Sequence, residues 1–258
     1  MSGPSTVRIV EVYPALLGTY GDHGNLLVLA HRARRRGLEV ETVSVAPGRP
    51  LPRQGDVYLI GGAEDAAQVA ATAMMRADGA IADAVDRNAP LLAVCAGMQM
   101  LGRQFPGPDG APVPGLEIFD LVTTPGPWRA IGELVAEPAA ELALPVLTGF
   151  ENHGGRTVLG PDAVPLGRVR VGFGNDDHGT EGVLAGHALG TYLHGPALAR
   201  NPALADLLLS WVVGPLAPLP DPLVDQWRAE RIAAAPESVR VHRKIAAERV
   251  SRARPAAS

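Results

Sequence analysis

Leu91-Leu92-Ala93-Val94-Cys95-Ala96-Gly97-Met98-Gln99-Met100-Leu101-Gly102 contains the only cysteine of the chain. Four apolar residues after Pro90 have the pattern of a buried strand, and the run from Gly97 onward has that of a helix. Cys95 therefore falls at the turn between them, the layout of a nucleophile elbow. A side chain held there stands at the mouth of a parallel sheet. The helix that follows offers free N–H groups and a positive partial charge, which favour a thiolate and an oxyanion. A cysteine after an apolar run is also a common core residue, so the elbow has to be judged against the rest of the chain.

Upstream, Val7 to Tyr13 alternates as a strand that Pro14 closes, and a loop from Gly18 to Asn25 leads into a helix over Leu26 to Arg36. Leu38 to Val45 and Asp56 to Ile60 read as two further strands, the second ending in Gly61-Gly62-Ala63. Helices over Asp65 to Met75 and Ile81 to Arg87 then precede the strand that carries Cys95. This alternation predicts an α/β fold, a mostly parallel sheet flanked by helices, with its site at the carboxyl ends of the strands. Gly61-Gly62 and Cys95 both lie at such ends. Arg32, Arg34, Arg35 and Arg36 are expected on a solvated face, favoured near a helix C-terminus by the dipole.

Downstream the rhythm shortens. Leu116 to Val122, Ala130 to Ala136, Val146 to Phe150, Val169 to Phe173, Gly182 to Leu184 and Leu189 to Leu193 predict additional strands laid against the same core. Asn201 followed by Pro202 caps a helix. The predicted division is a catalytic domain over 1–215 and a helical, basic extension over 216–258. Between Arg228 and Arg254 the extension carries eight Arg or Lys against three Glu. Within that stretch no Phe, Tyr or Trp is interleaved, so a solvated helix or tail is expected there and not a nucleic-acid surface.

With 47% hydrophobic residues and a formal charge of −4, the 258-residue chain reads as soluble and able to bury a full core. No stretch approaches the roughly 18 apolar residues a membrane span needs, and the first residues do not resemble a leader peptide. One cysteine excludes an internal disulfide, so a reducing cytoplasm is the expected setting, and no metal site is expected. Lys244 is the only lysine and lies outside any glycine-rich turn, which excludes a phosphate-binding loop of the type that ends in lysine.

A cysteine nucleophile needs a group that accepts a proton and later gives it to the leaving group, a task suited to histidine near neutral pH. There are seven histidines. His194, in Gly190-Thr191-Tyr192-Leu193-His194-Gly195-Pro196, ends a predicted strand; His153, in Gly149-Phe150-Glu151-Asn152-His153-Gly154-Gly155, follows one. Spacing alone does not choose between them.

Cys95-Ala96-Gly97-Met98-Gln99 resembles the class I glutamine amidotransferase signature. The two histidine segments resemble the cobyric-acid-synthase-like branch of that class. Tyr13-Pro14, Tyr20-Gly21-Asp22-His23-Gly24-Asn25, Gly61-Gly62 and Asn201 to Asp206 are similar to the GatD-type glutaminase subunits of lipid II isoglutaminyl synthase. The ordered resemblance runs from about residue 7 to about residue 212. It implies a class I amidotransferase, flavodoxin-like fold in which Cys95 is the nucleophile and His194 its base. It further implies that Ala96 and the Gly61-Gly62-Ala63 loop, Gly62 included, hold the oxyanion, that Gln99 helps hold the substrate and that Arg129 receives the α-carboxylate of L-glutamine.

Ordinary class I enzymes carry glutamate two residues after the histidine, where this chain has Pro196. The orienting acid is then expected from elsewhere, Glu151 or Asp177 for example, or from a partner. The resemblance also implies a cytoplasmic heterodimer with a MurT-type Mur ligase homologue. That partner would carry ATP and Mg²⁺ and would present lipid II, leaving this chain without a cofactor of its own. A glutaminase of cobyric or cobyrinic acid amidation, and a non-catalytic module on the same fold, are the alternatives.

Overall fold

The computed structural model describes residues 6–176 and 178–236, so that Asp177 and the end of the basic extension lie outside the described residues. In chain order the elements are β1 (Thr6–Val12), α1 (Pro14–Leu17), α2 (His23–Arg34), β2 (Glu39–Val45), β3 (Val57–Ile60), α3 (Asp65–Asp78), α4 (Ala80–Asp86), β4 (Leu91–Val94) and α5 (Ala96–Leu101). There follow β5 (Gln104–Pro106), β6 (Pro112–Pro114), β7 (Leu121–Pro138), β8 (Leu147–Leu159), β9 (Gly167–Val171), β10 (Thr180–Glu181), β11 (Val183–Ala185), β12 (Ala188–Thr191), α6 (Ala197–Arg200) and α7 (Pro202–Val213). A further helix, α8, runs over 222–236.

The first sheet has the order β11-β12-β4-β3-β1-β2, parallel except for the edge strand β11. Its central strands are apolar on both faces: every residue of β3 and of β4 is buried. That is what a parallel sheet covered on both sides requires, and it explains why these strands read as short apolar runs and not as alternating ones. The carboxyl ends of β1, β3 and β4 point the same way, which brings the loops after Val12, Ile60 and Val94 to one edge.

The strands of the second half do not all join that sheet. Only β11 and β12 do; the others form a sheet of their own, β10-β9-β7-β5-β6, with β8 paired to β7. The long β7–β8 hairpin alternates buried and exposed residues along much of its length, the pattern of an antiparallel pair with one wet face. Its register breaks between Pro125 and Ala130, where Pro125 and Pro127 have no N–H to give to a ladder, and Trp128 and Arg129 bulge out there. The strand expected to begin at Leu116 begins instead at Leu121. The N–H groups of Leu116, Ile118 and Phe119 are used to bond the carbonyls of Met100 and Leu101 at the end of α5.

The two sheets are tied at one isolated bridge, where the Phe150 N–H donates to the His194 carbonyl at 3.0 Å and the His194 N–H to the Phe150 carbonyl at 2.9 Å. Two expectations about basic residues need correction. Arg32 is not solvated: it is buried on α2 and grips Asp206 of α7 through Nε and Nη2 at 2.6 and 2.7 Å, with Arg36 adding a third contact at 2.8 Å. The described part of the extension is a mostly exposed helix, as expected, but Arg228 is not one of its solvated side chains. Arg228 of α8 donates to the carbonyl of Arg200, to Asn201 Oδ1 and to the Val146 carbonyl, which fastens the helix beside α6 and β8.

Candidate active site

Cys95 sits directly after β4 with φ 53° and ψ −109°, a backbone conformation that a non-glycine residue holds only when its surroundings impose it. They do so here. Its N–H donates to the Thr191 carbonyl of β12 at 2.8 Å, and α5 starts at the next residue. Gly97 lets that helix lie on the end of β3, since a Cβ at this position would stand 2.6 Å from the Ile60 carbonyl oxygen. Gly61 is equally constrained, because a side chain there would overlap the Leu17 carbonyl oxygen. The glycines of the two motifs are thus what allows three strand ends to crowd around one sulfur atom.

His194, following β12, is brought to this sulfur. Its imidazole is 3% exposed, and its Nδ1 lies 3.5 Å from Oδ1 of Asp22, in the loop before α2. The other carboxylate oxygen of Asp22 accepts the Gly62 N–H at 2.7 Å. Burial pushes the imidazole toward its neutral form, but the Asp22 carboxylate and Cys95 outweigh it and raise His194 to about 10. The proton therefore rests on His194 at neutral pH. Neither imidazole nitrogen has a hydrogen-bond partner, and neither does Asp22 Oδ1.

Arg129 leans over the same site from the bulge in β7. Its Nε donates to Asn152 Oδ1 at 2.5 Å and its Nη2 to the Tyr20 hydroxyl at 3.2 Å. The Tyr20 hydroxyl in turn donates to Glu64 Oε1 at 3.1 Å, and the Tyr20 ring lies against His194 with centroids 4.9 Å apart. A cavity of about 320 Å³ opens beside the histidine, lined by Tyr20, Phe150, Asn152, His194, Glu133 and Arg200, among others.

Gln99 and Glu151 stand elsewhere. The Gln99 amide is bonded on both sides inside the protein, accepting from Gln68 Nε2 at 3.1 Å and donating to the Tyr192 hydroxyl at 2.9 Å, so it braces the wall behind the elbow. Glu151 accepts the N–H groups of Phe173 and Gly174 at 2.8 and 2.9 Å and lies 3.3 Å from His153 Nε2. It does not serve His194. His153, the other candidate base, is buried and stacked on Tyr192 at 3.7 Å. Asp22, the carboxylate beside the histidine, is not picked out by sequence reasoning, although it lies in the Tyr20 to Asn25 motif. The usable signal was its position, in the loop after the first strand of a doubly wound sheet. Among the described residues no cluster of three or more His, Cys, Asp or Glu could hold a metal ion.

The geometry thus brings together an elbow cysteine, a buried histidine beside a carboxylate and a glycine N–H bonded to that carboxylate. The sequence profile of the CobB/CobQ-like glutamine amidotransferase domain matches residues 8–202, and the chain belongs to that family. It is 36% identical over 196 residues to the GatD subunit of lipid II isoglutaminyl synthase from Staphylococcus aureus, covering 75% of this chain and 79% of the relative. The corresponding subunit from Streptococcus pneumoniae is 33% identical, with 80% of each chain covered. Cobyric acid synthase from Sphingopyxis alaskensis is 33% identical over 66% of this chain, which spans 34% of that protein. Among solved structures, one titled as PurLQS from Thermotoga maritima superposes on 82% of this chain, and on 98% of its own, with a TM-score of 0.54 at 17% identity, which speaks for the fold. No helix among the described residues is long and apolar enough to cross a membrane.

Proposed function

We propose that this chain is the glutamine-hydrolysing subunit of a lipid II isoglutaminyl synthase, releasing ammonia to a MurT-type Mur ligase homologue that amidates the D-glutamate α-carboxylate of the stem peptide. The observation that carries the reading is the Cys95–His194–Asp22 arrangement on a strained elbow, in a chain similar over most of its length to two GatD subunits.

In this reading the Cys95 sulfur attacks the side-chain amide carbon of L-glutamine. The proton held by His194 passes to the departing nitrogen, ammonia leaves, and water then cleaves the γ-glutamyl thioester with His194 as base. The tetrahedral oxyanion is held by the Ala96 N–H at the start of α5 and by the Gly62 N–H. Gly62 already binds an anionic oxygen, that of Asp22, so oxyanion and carboxylate compete for one donor and Asp22 must release it as the reaction proceeds. Arg129 receives the substrate carboxylate. ATP and Mg²⁺ act on the partner, which activates the acceptor carboxylate.

Cobyric acid synthase is also a relative, but this chain spans only about a third of it. The test measures ammonia release from glutamine by the chain alone and with its partner, beside a Cys95→Ser variant. Hydrolysis that requires Cys95, coupled to isoglutamine formation in the complex, supports the proposal. Hydrolysis without amidation of lipid II would move the chain to another acceptor, and activity in Cys95→Ser would remove the thioester.

A further inference from the structure

The contact between Tyr20, Arg129 and Glu64 has a shape that the Arg129 assignment alone leaves unexplained. One phenolic hydroxyl is held between a guanidinium and a carboxylate, accepting from Arg129 Nη2 at 3.2 Å and donating to Glu64 Oε1 at 3.1 Å. The three residues come from three different elements: the loop before α2, the bulge of β7, and the N-cap of α3 two residues beyond Gly62. Cation and anion are therefore separated by the space of a single oxygen atom that both of them bond. The head group of an α-amino acid has the matching charges, a carboxylate and an ammonium on one carbon. The same Tyr20 ring packs on His194, which joins this pair of charges to the site.

We propose that Glu64 is the specificity-determining residue that binds the α-ammonium of the substrate glutamine. The Tyr20 hydroxyl keeps the place of the zwitterion in the free protein. On binding, the α-carboxylate takes Arg129, the α-ammonium takes Glu64, and the hydroxyl gives up both contacts. The inference rests on the glutaminase reading and deepens it. It explains why an exposed carboxylate is held toward the site at all, with the hydroxyl keeping it apart from Arg129.

The test compares L-glutamine with glutaramate, which is glutamine without its α-ammonium, using the complex of this chain with its partner. The wild-type protein is expected to prefer glutamine about 10- to 100-fold in kcat/KM, the worth of one charge-assisted hydrogen bond. In Glu64→Gln that preference should collapse through a raised KM for glutamine, with kcat at saturation little changed, and Glu64→Asp should restore part of it. Equal losses on both substrates would make Glu64 a structural support of the α3 start and would overturn the proposal. An active wild type with no preference between the substrates would overturn it too, while leaving the glutaminase reading intact. No hydrolysis of either substrate by the wild-type complex would overturn both.

Discussion

Asp22 divides its carboxylate between two residues of the site, with one oxygen on the Gly62 N–H at 2.7 Å and the other 3.5 Å from His194 Nδ1. Pro196 leaves no acid two residues after the histidine, and the carboxylate that stands beside the ring comes from the loop between α1 and α2. The start of α2, just after that loop, is seated against the proline itself: a Cβ on Gly24 would overlap the Pro196 ring. Proline and aspartate are thus two parts of one packing arrangement.

Asp22→Asn should lower kcat for glutamine hydrolysis by about 100-fold or more, because a neutral amide no longer favours the imidazolium or fixes its tautomer. The pH profile gives the sign. Asp22 is one of the groups raising His194, so its loss lowers the imidazole from about 10, and the alkaline limb of the rate profile moves to lower pH. A limb that stays in place would mean that Asp22 does not act on the histidine.

Arg129→Ala should raise KM for glutamine by about 10- to 100-fold with a smaller effect on kcat, as expected for a charge-assisted contact to a carboxylate away from the reacting carbon. Steady-state kinetics on glutamine, with thermal denaturation as a check on folding, decide it. An unchanged KM would return Arg129 to its bonds with Asn152.

Asp206→Ala should destabilise the fold by about 3 kcal/mol, since it leaves Arg32 charged, buried and unpaired between α2 and α7. Urea denaturation measures it. A change below about 1 kcal/mol, the range of surface ion pairs, would show that the guanidinium finds water or another partner.

Glu181 is fully buried, and burial raises it to about 7, with the bonds from Thr191 Oγ1 and the Tyr192 N–H pulling the other way. A carboxyl group raised in the fold is favoured there in its protonated form. Its contribution to stability is full below the unfolded value near 4.5 and is lost as pH rises through about 7, by on the order of 3 kcal/mol. Glu181→Gln should flatten the fall in Tm over that interval, and an identical pH dependence in the variant would contradict the assignment.

The elbow at Cys95 and the parallel sheet were legible because each is encoded locally, by an apolar run, a helix start and glycines at fixed offsets. The second sheet was not. Its strands have the same alternating signature whether they extend the first sheet or pair with one another, and partner choice is not written in periodicity. Arg32 was misjudged for a related reason: position on an arginine-rich helix suggested solvent, whereas Asp206, far along the chain, makes burial tolerable. Gln99 fell at the offset the signature requires, but a spacing does not say which way an amide points. Its partners Gln68 and Tyr192 come from other elements.

The bridge between Phe150 and His194 gives the site a mechanical character. Cys95 belongs to the first sheet, while the backbone of His194 is sewn by two hydrogen bonds to a strand of the second. The residue that carries the imidazole is therefore shared between the two sheets, following β12 of the first and bridged to β8 of the second, so the seam between the sheets runs through the site. Hydrogen exchange at the Phe150 and His194 amides reads that seam directly, and loss of protection there should accompany loss of thiol reactivity at Cys95.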